Sequence, residues 1–296
     1  MFVSIVLSSY NGEKFIQAQI ASILAQSHSN FELIIIDDAS SDATLALITA
    51  VAKTDSRITI ISNTQNHGPR YCFFKGIQLA TGDYIALADQ DDIWIEDKLA
   101  ILIQHASKDQ DALLLYSNSR YMDESGQLLA RHLHHDINPF SGADNRFVLI
   151  HNVAWGHSLF IKKVLKEYLL NWPPNFNHDK WICFVALSHG RIQYIEQPLQ
   201  YYRWHTNNLT ISSPANPLSS NPKIKEGTLT EWIEAILQHK LSKNNAFFVE
   251  MKRLSDGNHS WQYFFWLLKH RTVIFRPSKK SLLSQINHAR RIAFNL

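Results

Sequence analysis

Residues 31–42 read FELIIIDDASSD, an apolar run that ends abruptly in polar and acidic residues. Two stretches of the same kind flank it, FVSIVLSSYNG at 2–12 and DYIALADQDD at 83–92, and segments with helical apolar spacing separate them. Strands that are apolar throughout and alternate with helices are typical of a mostly parallel sheet with helices on both faces. We therefore predict a Rossmann-like α/β fold, with strands at 2–7, 31–36, 58–61 and 83–88.

Polar clusters follow three of these strands, at Ser8–Asn11, Asp37–Asp42 and Asp89–Asp92. Ligands of such sheets bind beyond the carboxyl ends of the strands, so we expect the three clusters to form one rim. The spacing of Asp89 and Asp91 suits two carboxylates that approach one Mg²⁺ or Mn²⁺ ion and leave room for substrate phosphates. Capping of the next helix is the alternative interpretation of this acidic run.

Composition excludes several classes of protein. The 296-residue chain is 45% hydrophobic and 19% charged, so it can bury a large core and is not a disordered or fibrous sequence. Its two cysteines, Cys72 and Cys183, argue against a disulfide framework and are interpreted as buried thiols in a reducing cytosol. Neither GxGxxG nor GxxxxGK(S/T) occurs, which disfavours a dinucleotide dehydrogenase and a P-loop NTPase. No apolar run approaches the ~20 residues of a spanning helix, and the first residues show no signal-peptide pattern.

The second half of the chain has a less regular pattern. We predict a strand at 113–116, a polar loop at 128–145, a helix at 181–188 and a strand region at 192–202 that Pro198 interrupts. The loop contains His132, His134, His135 and Asp136, for which a mobile loop is favoured over a zinc site.

The last residues differ from the rest in charge. Residues 223–296 hold 13 Lys and Arg against 5 Asp and Glu, whereas the preceding part is net negative. A Pro-, Ser- and Asn-rich stretch at 213–222 is typical of a linker, and short helices are predicted at 230–240, 246–252, 260–270 and 280–294. Two interpretations of this basic, aromatic region stay open: packing on the α/β domain, or binding to an anionic membrane surface.

Taken in order, these motifs resemble glycosyltransferase family 2. The segments that carry the likeness are VSIVLSSYN at 3–11, IDDASSD at 36–42, Asn66-x-Gly68, TGDY at 81–84 and ADQDDIW at 88–94. The last of these is similar to the bacterial rhamnosyltransferase-like branch, as are His178-Asp179-x-Trp181 and the run PLQYYRWHTNN at 198–208. The resemblance covers about 1–212 and implies the GT-A nucleotide-sugar fold. A nucleotide-sugar half would span about 1–115 and an acceptor half about 116–212, followed by the linker and the helical C-terminal region.

The same resemblance implies a donor site. Its nucleotide-sugar contacts would come from Ser9, Tyr10 and Glu13 around the nucleoside, Asp38 at the pyrimidine edge with Asp37 beside it, Asp89 at the ribose and Arg203 near the diphosphate. One departure concerns Phe73-Phe74, which stands where many relatives carry an Arg-Asn pair that contacts the donor, and Arg70 is a weak substitute.

The metal and the chemistry would involve three further residues. Asp91 would bind Mg²⁺ or Mn²⁺ under the diphosphate, His205 would approach the metal or diphosphate from the far side, and Asp179 would be the catalytic base. Trp155-Gly156-His157 is interpreted either as part of the acceptor pocket or as core packing.

The implied activity is that of an inverting, metal-dependent hexosyltransferase, with rhamnose as a candidate sugar. It would use a dTDP- or UDP-linked donor and a glycan or lipid-linked acceptor in bacterial surface polysaccharide synthesis, such as that of lipopolysaccharide, and no nucleic acid. The expected location is the cytoplasm, on the inner membrane surface through the C-terminal region. A sugar-phosphate nucleotidyltransferase and a degenerate nucleotide-sugar-binding module are the alternatives.

Overall fold

A computed structural model describes most of the chain. The described residues are 1–135, 137–170, 172–173, 176–206, 208, 228–239, 244–257 and 260–294. The predicted linker at 213–222 and Asp136 of the histidine-rich loop lie outside these ranges.

Nine strands in the described residues form one sheet. They are β1 (Val3–Ser9), β2 (Phe31–Asp37), β3 (Ile58–Ser62), β4 (Tyr84–Asp89), β5 (Ile93–Trp94), β6 (Ala112–Met122), β7 (Leu128–His132), β8 (Leu159–Lys162) and β9 (Arg191–Arg203). Their order is β3-β2-β1-β4-β8-β6-β9-β5, with β7 paired to β6. The first four strands of this order are mutually parallel, as are β6 and β9, whereas β8 runs antiparallel between β4 and β6. The predicted α/β class with a mostly parallel sheet is confirmed.

Helices surround this sheet and continue to the end of the described chain. They are α1 (Ile16–Leu24), α2 (Thr44–Ala52), α3 (Pro69–Leu79), α4 (Lys98–Lys108), α5 (Leu165–Tyr168), α6 (His178–His189), α7 (Leu229–Gln238), α8 (Asn245–Asp256), α9 (Ser260–Lys269), α10 (Arg271–Ile274) and α11 (Leu282–Phe294). No helix within the described ranges has the length and apolarity needed to cross a bilayer.

Two elements differ from the sequence prediction. The stretch predicted as a loop from residue 128 begins with β7, a short, partly exposed strand on β6 whose five residues, LLARH, do not alternate between apolar and polar. The strand predicted to break at Pro198 runs unbroken from Arg191 to Arg203. Proline is tolerated because the β6–β9 register shifts between Ser117 and Asn118, so Pro198 sits beside an irregularity where a regular ladder bond is not required.

The C-terminal helices share a hydrophobic core with the α/β part. Trp232 of α7 is 1% exposed and lies edge-on to Trp181 of α6, with ring centroids 5.7 Å apart. Phe248 of α8 and Leu267 of α9 are also fully buried in this cluster. The inner face of the C-terminal helices therefore packs on the α/β part, as the first interpretation expects. The role of their outer face is a separate question.

Candidate active site

The carboxyl ends of β1, β2 and β4 lie side by side, because these strands are neighbours and parallel. Ser9 pairs with Asp37 across β1 and β2, and Ser8 pairs with Asp89 across β1 and β4. The polar residues that follow these strands therefore meet at one edge of the sheet, as the sequence predicts. Tyr10, which is 46% exposed, is tied to this edge by its backbone N–H, which donates to Oε1 of Gln90 at 2.8 Å.

The Asp37-Asp38 pair organises the loops around it. Asp37 is fully buried and accepts hydrogen bonds from the backbone N–H and hydroxyl of Ser40, at 3.1 and 2.6 Å, and from Ser9 Oγ at 3.4 Å. Asp38 is 2% exposed and accepts from Asn63 Nδ2 at 2.8 Å and from the backbone N–H of Gly68 at 2.7 Å. A base edge bound here would share the remaining acceptor positions of Asp38.

Glu13 of the expected nucleoside pocket and Gly68 of the Asn66-x-Gly68 motif each lie close to the start of a helix. Glu13 is exposed, and its Oε2 accepts from the backbone N–H of Ala43 at 2.8 Å. It thereby satisfies a donor at the start of α2, whose N-cap residue, Ala43, has no side chain that can accept a hydrogen bond. Gly68 adopts φ +84°, a conformation that favours glycine, directly before Pro69 opens α3.

Residues 89–92, the acidic loop, are clamped by the end of β9. The backbone N–H of Arg203 donates to Asp92 Oδ1 at 3.1 Å, and Arg203 Nε donates to the carbonyl oxygen of Asp91 at 2.8 Å. His205 Nε2 lies 2.9 Å from Asp91 Oδ2. The structure therefore brings Asp91, Arg203 and His205 together from positions more than a hundred residues apart in the chain. The Arg203 guanidinium also lies 4.7 Å from the ring centre of Phe15.

A second acidic group lies beside this clamp. Within the described part of the chain, Asp89, Asp92 and His157 have ligand atoms within 4.8 Å of one another, close enough for one metal ion. Asp92 is fully buried, and its Oδ2 has no hydrogen-bond partner among the described residues. Burial, together with the charges of Asp91 and Asp89, raises the pKa of Asp92 well above its usual value. An unpartnered carboxylate oxygen among other carboxylates fits a hard cation.

His157 is oriented by a buried chain of hydrogen bonds. Lys98 is fully buried and can only donate, so its bond to Oε1 of Gln200 fixes the orientation of that carboxamide. Gln200 Nε2 donates to Ser119 Oγ at 2.6 Å, which leaves the Ser119 hydroxyl hydrogen for His157 Nε2 at 3.0 Å. Nδ1 of a neutral His157 therefore carries the hydrogen and faces the acidic loop, 3.7 Å from Asp89 Oδ2. In this tautomer the Nδ1–H group of His157 lies beyond hydrogen-bond distance of the carboxylates and cannot accept a metal, so the carboxylates are the groups able to hold an ion.

Sequence reasoning did not identify Lys98, Ser119 or Gln200. Lys98 stands in an ordinary amphipathic helix and Ser119 in a strand without a motif, whereas Gln200 lies in the run at 198–208 at a position to which no role was assigned. Burial lowers the pKa of Lys98 to about 7 even though Asp92 and Asp89 raise it, and its ammonium lies 3.9 Å from the Trp94 ring centre. For His157 the sequence leaves a choice between the acceptor pocket and the core, and in the structure it is a buried neighbour of the acidic loop.

Asp179 lies in the first turn of α6, which begins at His178 rather than at residue 181 as predicted. The N-cap residue is Asn177, so Asp179 is not the cap. Asp179 is 9% exposed, and its Oδ1 accepts from the backbone N–H of Lys180 at 2.7 Å. Burial is the main cause that raises the pKa of Asp179 to about 6, and the nearby charge of Asp89 adds to it. The structure thus places the expected base near the acidic loop.

A close contact of backbone and ring shapes this corner. A Cβ on residue 156 would lie 2.2 Å from His178 Nε2. The backbone can therefore approach α6 this closely only because residue 156 is glycine. The backbone N–H of Gly156 stabilises the ionised form of Asp179 and so partly offsets the effect of burial on its pKa. Phe73, at the position where the resemblance departs, is fully buried and stacks on His178 with ring centroids 4.3 Å apart. Phe73 therefore serves packing behind the site.

The predicted histidine-rich loop lies elsewhere. The rings of His132, His134 and His135 are neighbours, with His134 and His135 centroids 4.7 Å apart. Burial, followed by the charges of the neighbouring histidines, lowers the pKa of His134. Among the described residues, the group whose ligand atoms lie close enough for one ion is Asp89, Asp92 and His157, and not these histidines. Asp136 lies outside the described residues.

Comparison with known proteins gives a consistent result. A sequence model described as Glycosyl transferase family 2 matches residues 4–169. The putative teichuronic acid biosynthesis glycosyltransferase TuaG of Bacillus subtilis is 38% identical over 97 residues, which are 33% of this chain and 38% of that protein. The UDP-Glc:alpha-D-GlcNAc-diphosphoundecaprenol beta-1,3-glucosyltransferase WfgD of Escherichia coli is 38% identical over 39% of this chain and 45% of its own length. These matches span less than half of either relative.

Longer matches have lower identity. The putative colanic acid biosynthesis glycosyl transferase WcaA of Escherichia coli is 26% identical over 86% of this chain and 96% of its own length. Among solved structures, Staphylococcus aureus TarS 1–349 in complex with UDP-GlcNAc superimposes with a TM-score of 0.61 at 15% identity, over 98% of this chain and 79% of that one. The mannosyltransferase PcManGT of Pyrobaculum calidifontis, in complex with GDP-Man and Mn²⁺, gives 0.58 at 14% identity, over 99% and 73%. These structures support the predicted fold.

Proposed function

Because the chain belongs to glycosyltransferase family 2, we propose that it transfers a sugar from a nucleoside diphosphate to a glycan or lipid-linked acceptor, with inversion and with a divalent metal. The observation that carries this proposal is that Asp89, at the end of β4, lies near enough to Asp179 for its charge to raise the pKa of Asp179. Such a site holds both a place for a diphosphate with its cation and a carboxylate able to take a proton.

The donor would be bound by residues of the first half of the chain. At the edge that follows β1, β2 and β4, Ser9, Tyr10 and Glu13 would surround the nucleoside, and Asp37-Asp38 would lie beside the base. Asp89, which is 37% exposed at its side chain, would face the ribose. UDP and dTDP donors are proposed on this basis, and rhamnose is the candidate sugar.

The cation would be Mg²⁺ or Mn²⁺, held by Asp91 and by free carboxylate oxygens of the acidic loop, with His205 at its far side. Once bound, it would neutralise the diphosphate and the charge that develops on it as the sugar leaves. Arg203, anchored to the same loop, would add a fixed positive charge near the diphosphate.

Asp179 would accept the proton of the attacking acceptor hydroxyl. Inversion in a single displacement requires that the attacking oxygen lose its proton as it bonds to the anomeric carbon. A carboxyl group whose pKa lies at about 6 is ionised at neutral pH and is a stronger base than an ordinary aspartate. Its position at the start of α6, beside Asp89, suits this task.

The acceptor class is inferred from the relatives. TuaG is named for teichuronic acid biosynthesis, WcaA for colanic acid biosynthesis and WfgD for a diphosphoundecaprenol-linked sugar. We therefore place the proposed reaction in bacterial polysaccharide synthesis at the cytoplasmic face of the inner membrane.

The experiment that tests this function measures cleavage of nucleotide sugars with metal and no acceptor. We expect slow release of the nucleoside diphosphate from one member of a panel of dTDP-, UDP- and GDP-sugars, and its loss in EDTA. Asp111→Asn, at an exposed residue before β6 at the opposite edge of the sheet, is the matched control and should behave as wild type. Pyrophosphate release from a nucleoside triphosphate and a sugar phosphate would instead identify a nucleotidyltransferase. Binding without either reaction would indicate a degenerate module.

Peripheral membrane attachment through the outer face of the C-terminal helices is a further part of the proposal. Trp261 and Phe265 of α9 are 65% and 61% exposed, in a region rich in Lys and Arg. Aromatic side chains and cations on one surface are typical of helices that lie at anionic interfaces.

Vesicle flotation tests this attachment. We expect the protein to float with anionic vesicles at low salt, and to float less at high salt or with neutral vesicles. Trp261→Ser with Phe265→Ser should reduce flotation. The control Leu170→Ser, at a leucine with 61% exposure in the α/β part, should not. Equal recovery from neutral and anionic vesicles, or no flotation at all, would leave packing as the only role of the region.

A further inference from the structure

An open cavity of about 480 Å³ lies where the C-terminal helices meet the α/β part. Its lining includes four cations and two amides, Arg271, Arg276, Lys279, Lys280, Asn138 and Gln285. We call it the basic cavity. It shares no lining residue with the candidate active site.

Among the described residues, no carboxylate forms an ion pair with these cations. None of the lining residues is acidic, and residues 257–296 contain seven Lys and Arg but no Asp or Glu. Burial lowers the pKa of His288, and the charges of Lys280 and Arg291 lower it further, which reflects a positive potential in this region. The cavity is therefore suited to an anion.

The backbone that carries the cations is fixed to the α/β part. Asn138 donates from its backbone N–H to the carbonyl oxygen of Pro277 at 2.8 Å, and from Nδ2 to that of Arg276 at 2.9 Å. Ser278 forms a β-bridge with Ile137, and Lys279 Nζ donates to the carbonyl oxygen of His134 at 2.7 Å. These bonds hold the cations in place before any ligand arrives, which lowers the entropy cost of binding.

Two leucines beside the cavity indicate where the anion would come from. Leu282 and Leu283 open α11 only two and three residues after Lys280, and they are 55% and 74% exposed. Exposed apolar side chains next to clustered cations match the boundary between acyl chains and headgroups in a bilayer. Arginine also matches the geometry of phosphate oxygens, to which its guanidinium can donate two hydrogen bonds.

We propose that the basic cavity binds the phosphate group of an anionic lipid headgroup, with Leu282 and Leu283 inserted among the acyl chains beside it. This deepens the proposed membrane attachment by adding a specific phosphate site to a general affinity for anionic surfaces. It also defines which side of the protein would face the membrane, because hydrogen bonds join the segment that carries the cations to residues 134–138 of the α/β part.

The test uses calorimetry with three soluble ligands in EDTA, so that no divalent metal supports phosphate binding at the acidic loop. The ligands are short-chain phosphatidic acid below its micellar concentration, inorganic phosphate, and octanoate, an acyl chain with a carboxylate. We expect phosphatidic acid to bind most tightly. Lys280→Gln and the double change Arg276→Gln with Lys279→Gln should each weaken it by at least about tenfold.

The control is the double change Lys269→Gln with Arg290→Gln, which removes two cations from the neighbouring α9 and α11 without touching the cavity lining. It should change affinity by less than about twofold. An equal loss in the control, or equal binding of octanoate, would reduce the effect to general charge and overturn the proposal. Inorganic phosphate binding as tightly as phosphatidic acid would overturn the lipid source, and absence of binding would overturn the site.

These outcomes are independent of sugar transfer, because the assay contains neither donor nor metal. Lys280 makes no side-chain hydrogen bond among those found in the described residues, so Lys280→Gln keeps the test valid if the Arg276 variant fails to fold. If the protein binds phosphatidic acid but transfers no sugar, the lipid site stands and the proposed function fails. If it transfers sugar but does not bind phosphatidic acid, the function stands and the lipid site fails.

Discussion

Replacing Asp179 by Asn is expected to lower turnover by about 10²–10⁴-fold while the affinity for the donor nucleotide stays nearly unchanged. Asn has the shape of Asp and can accept the hydrogen bond from the Lys180 backbone, but it cannot take a proton from the acceptor hydroxyl. Single-turnover kinetics with a saturating donor would separate this loss from any change in binding.

Asp179→Asn should lower turnover but raise the stability of the fold at neutral pH. Because burial raises the pKa of Asp179 from 3.8 to about 6, the folded state binds its proton more tightly than the unfolded state does. The stability of the wild type should therefore fall as the pH rises from about 4 to 6, and at neutral pH the ionised group should cost roughly 2–3 kcal/mol. We expect Asp179→Asn to melt above wild type at pH 7.5 and close to it near pH 4.

Asp111→Asn is the matched control for both measurements, since this exposed aspartate lies before β6 at the opposite edge of the sheet. Near-normal turnover in Asp179→Asn would show that another group takes the proton, and Asp92 and His157 would be tested next. Lower stability of the variant at pH 7.5 would contradict the view that the fold tolerates a costly carboxylate for the sake of function.

Replacing Asp91 by Asn is expected to remove the metal-dependent part of nucleotide binding, a loss of at least about 100-fold in affinity. The reason is charge, since a diphosphate near Asp37, Asp38 and the acidic loop is repelled unless a cation lies between them. Calorimetry with the nucleoside diphosphate, in Mn²⁺ and in EDTA, measures this directly. Wild type should bind well only with the metal, and the variant should bind weakly in both.

The same experiment also distinguishes Asp91 from Asp89 and Asp92 as the residues that hold the ion. If Asp91→Asn keeps a strong metal dependence, then Asp89 and Asp92 hold the ion, and Asp91 serves mainly as the partner of His205. Equal affinity of the wild-type protein in Mn²⁺ and EDTA would contradict a metal-bound diphosphate altogether. Asp111→Asn again serves as the control.

Local sequence determined the strands and the residues at their ends. The run at 31–38 shows why, because six consecutive residues that are mostly apolar encode a buried strand, and the acids that follow must lie where the strand leaves the core. The resemblance added roles for Asp91, His205 and Asp179, which stay predictions. The structure does bring His205 to Asp91 and places Asp179 near the acidic loop.

Only the tertiary structure decided which distant polar side chains meet. Lys98, Ser119, His157 and Gln200 come from a helix, a turn and two strands, and their mutual hydrogen bonds join residues 38 to 102 positions apart. The basic cavity has the same origin, because the sequence predicts the charge of residues 223–296 but not that four cations surround one space. Apolar periodicity reports which side of an element is buried, a local property. The partner of a buried polar group depends on strand order and on how helices pack across the sheet, which no local pattern encodes.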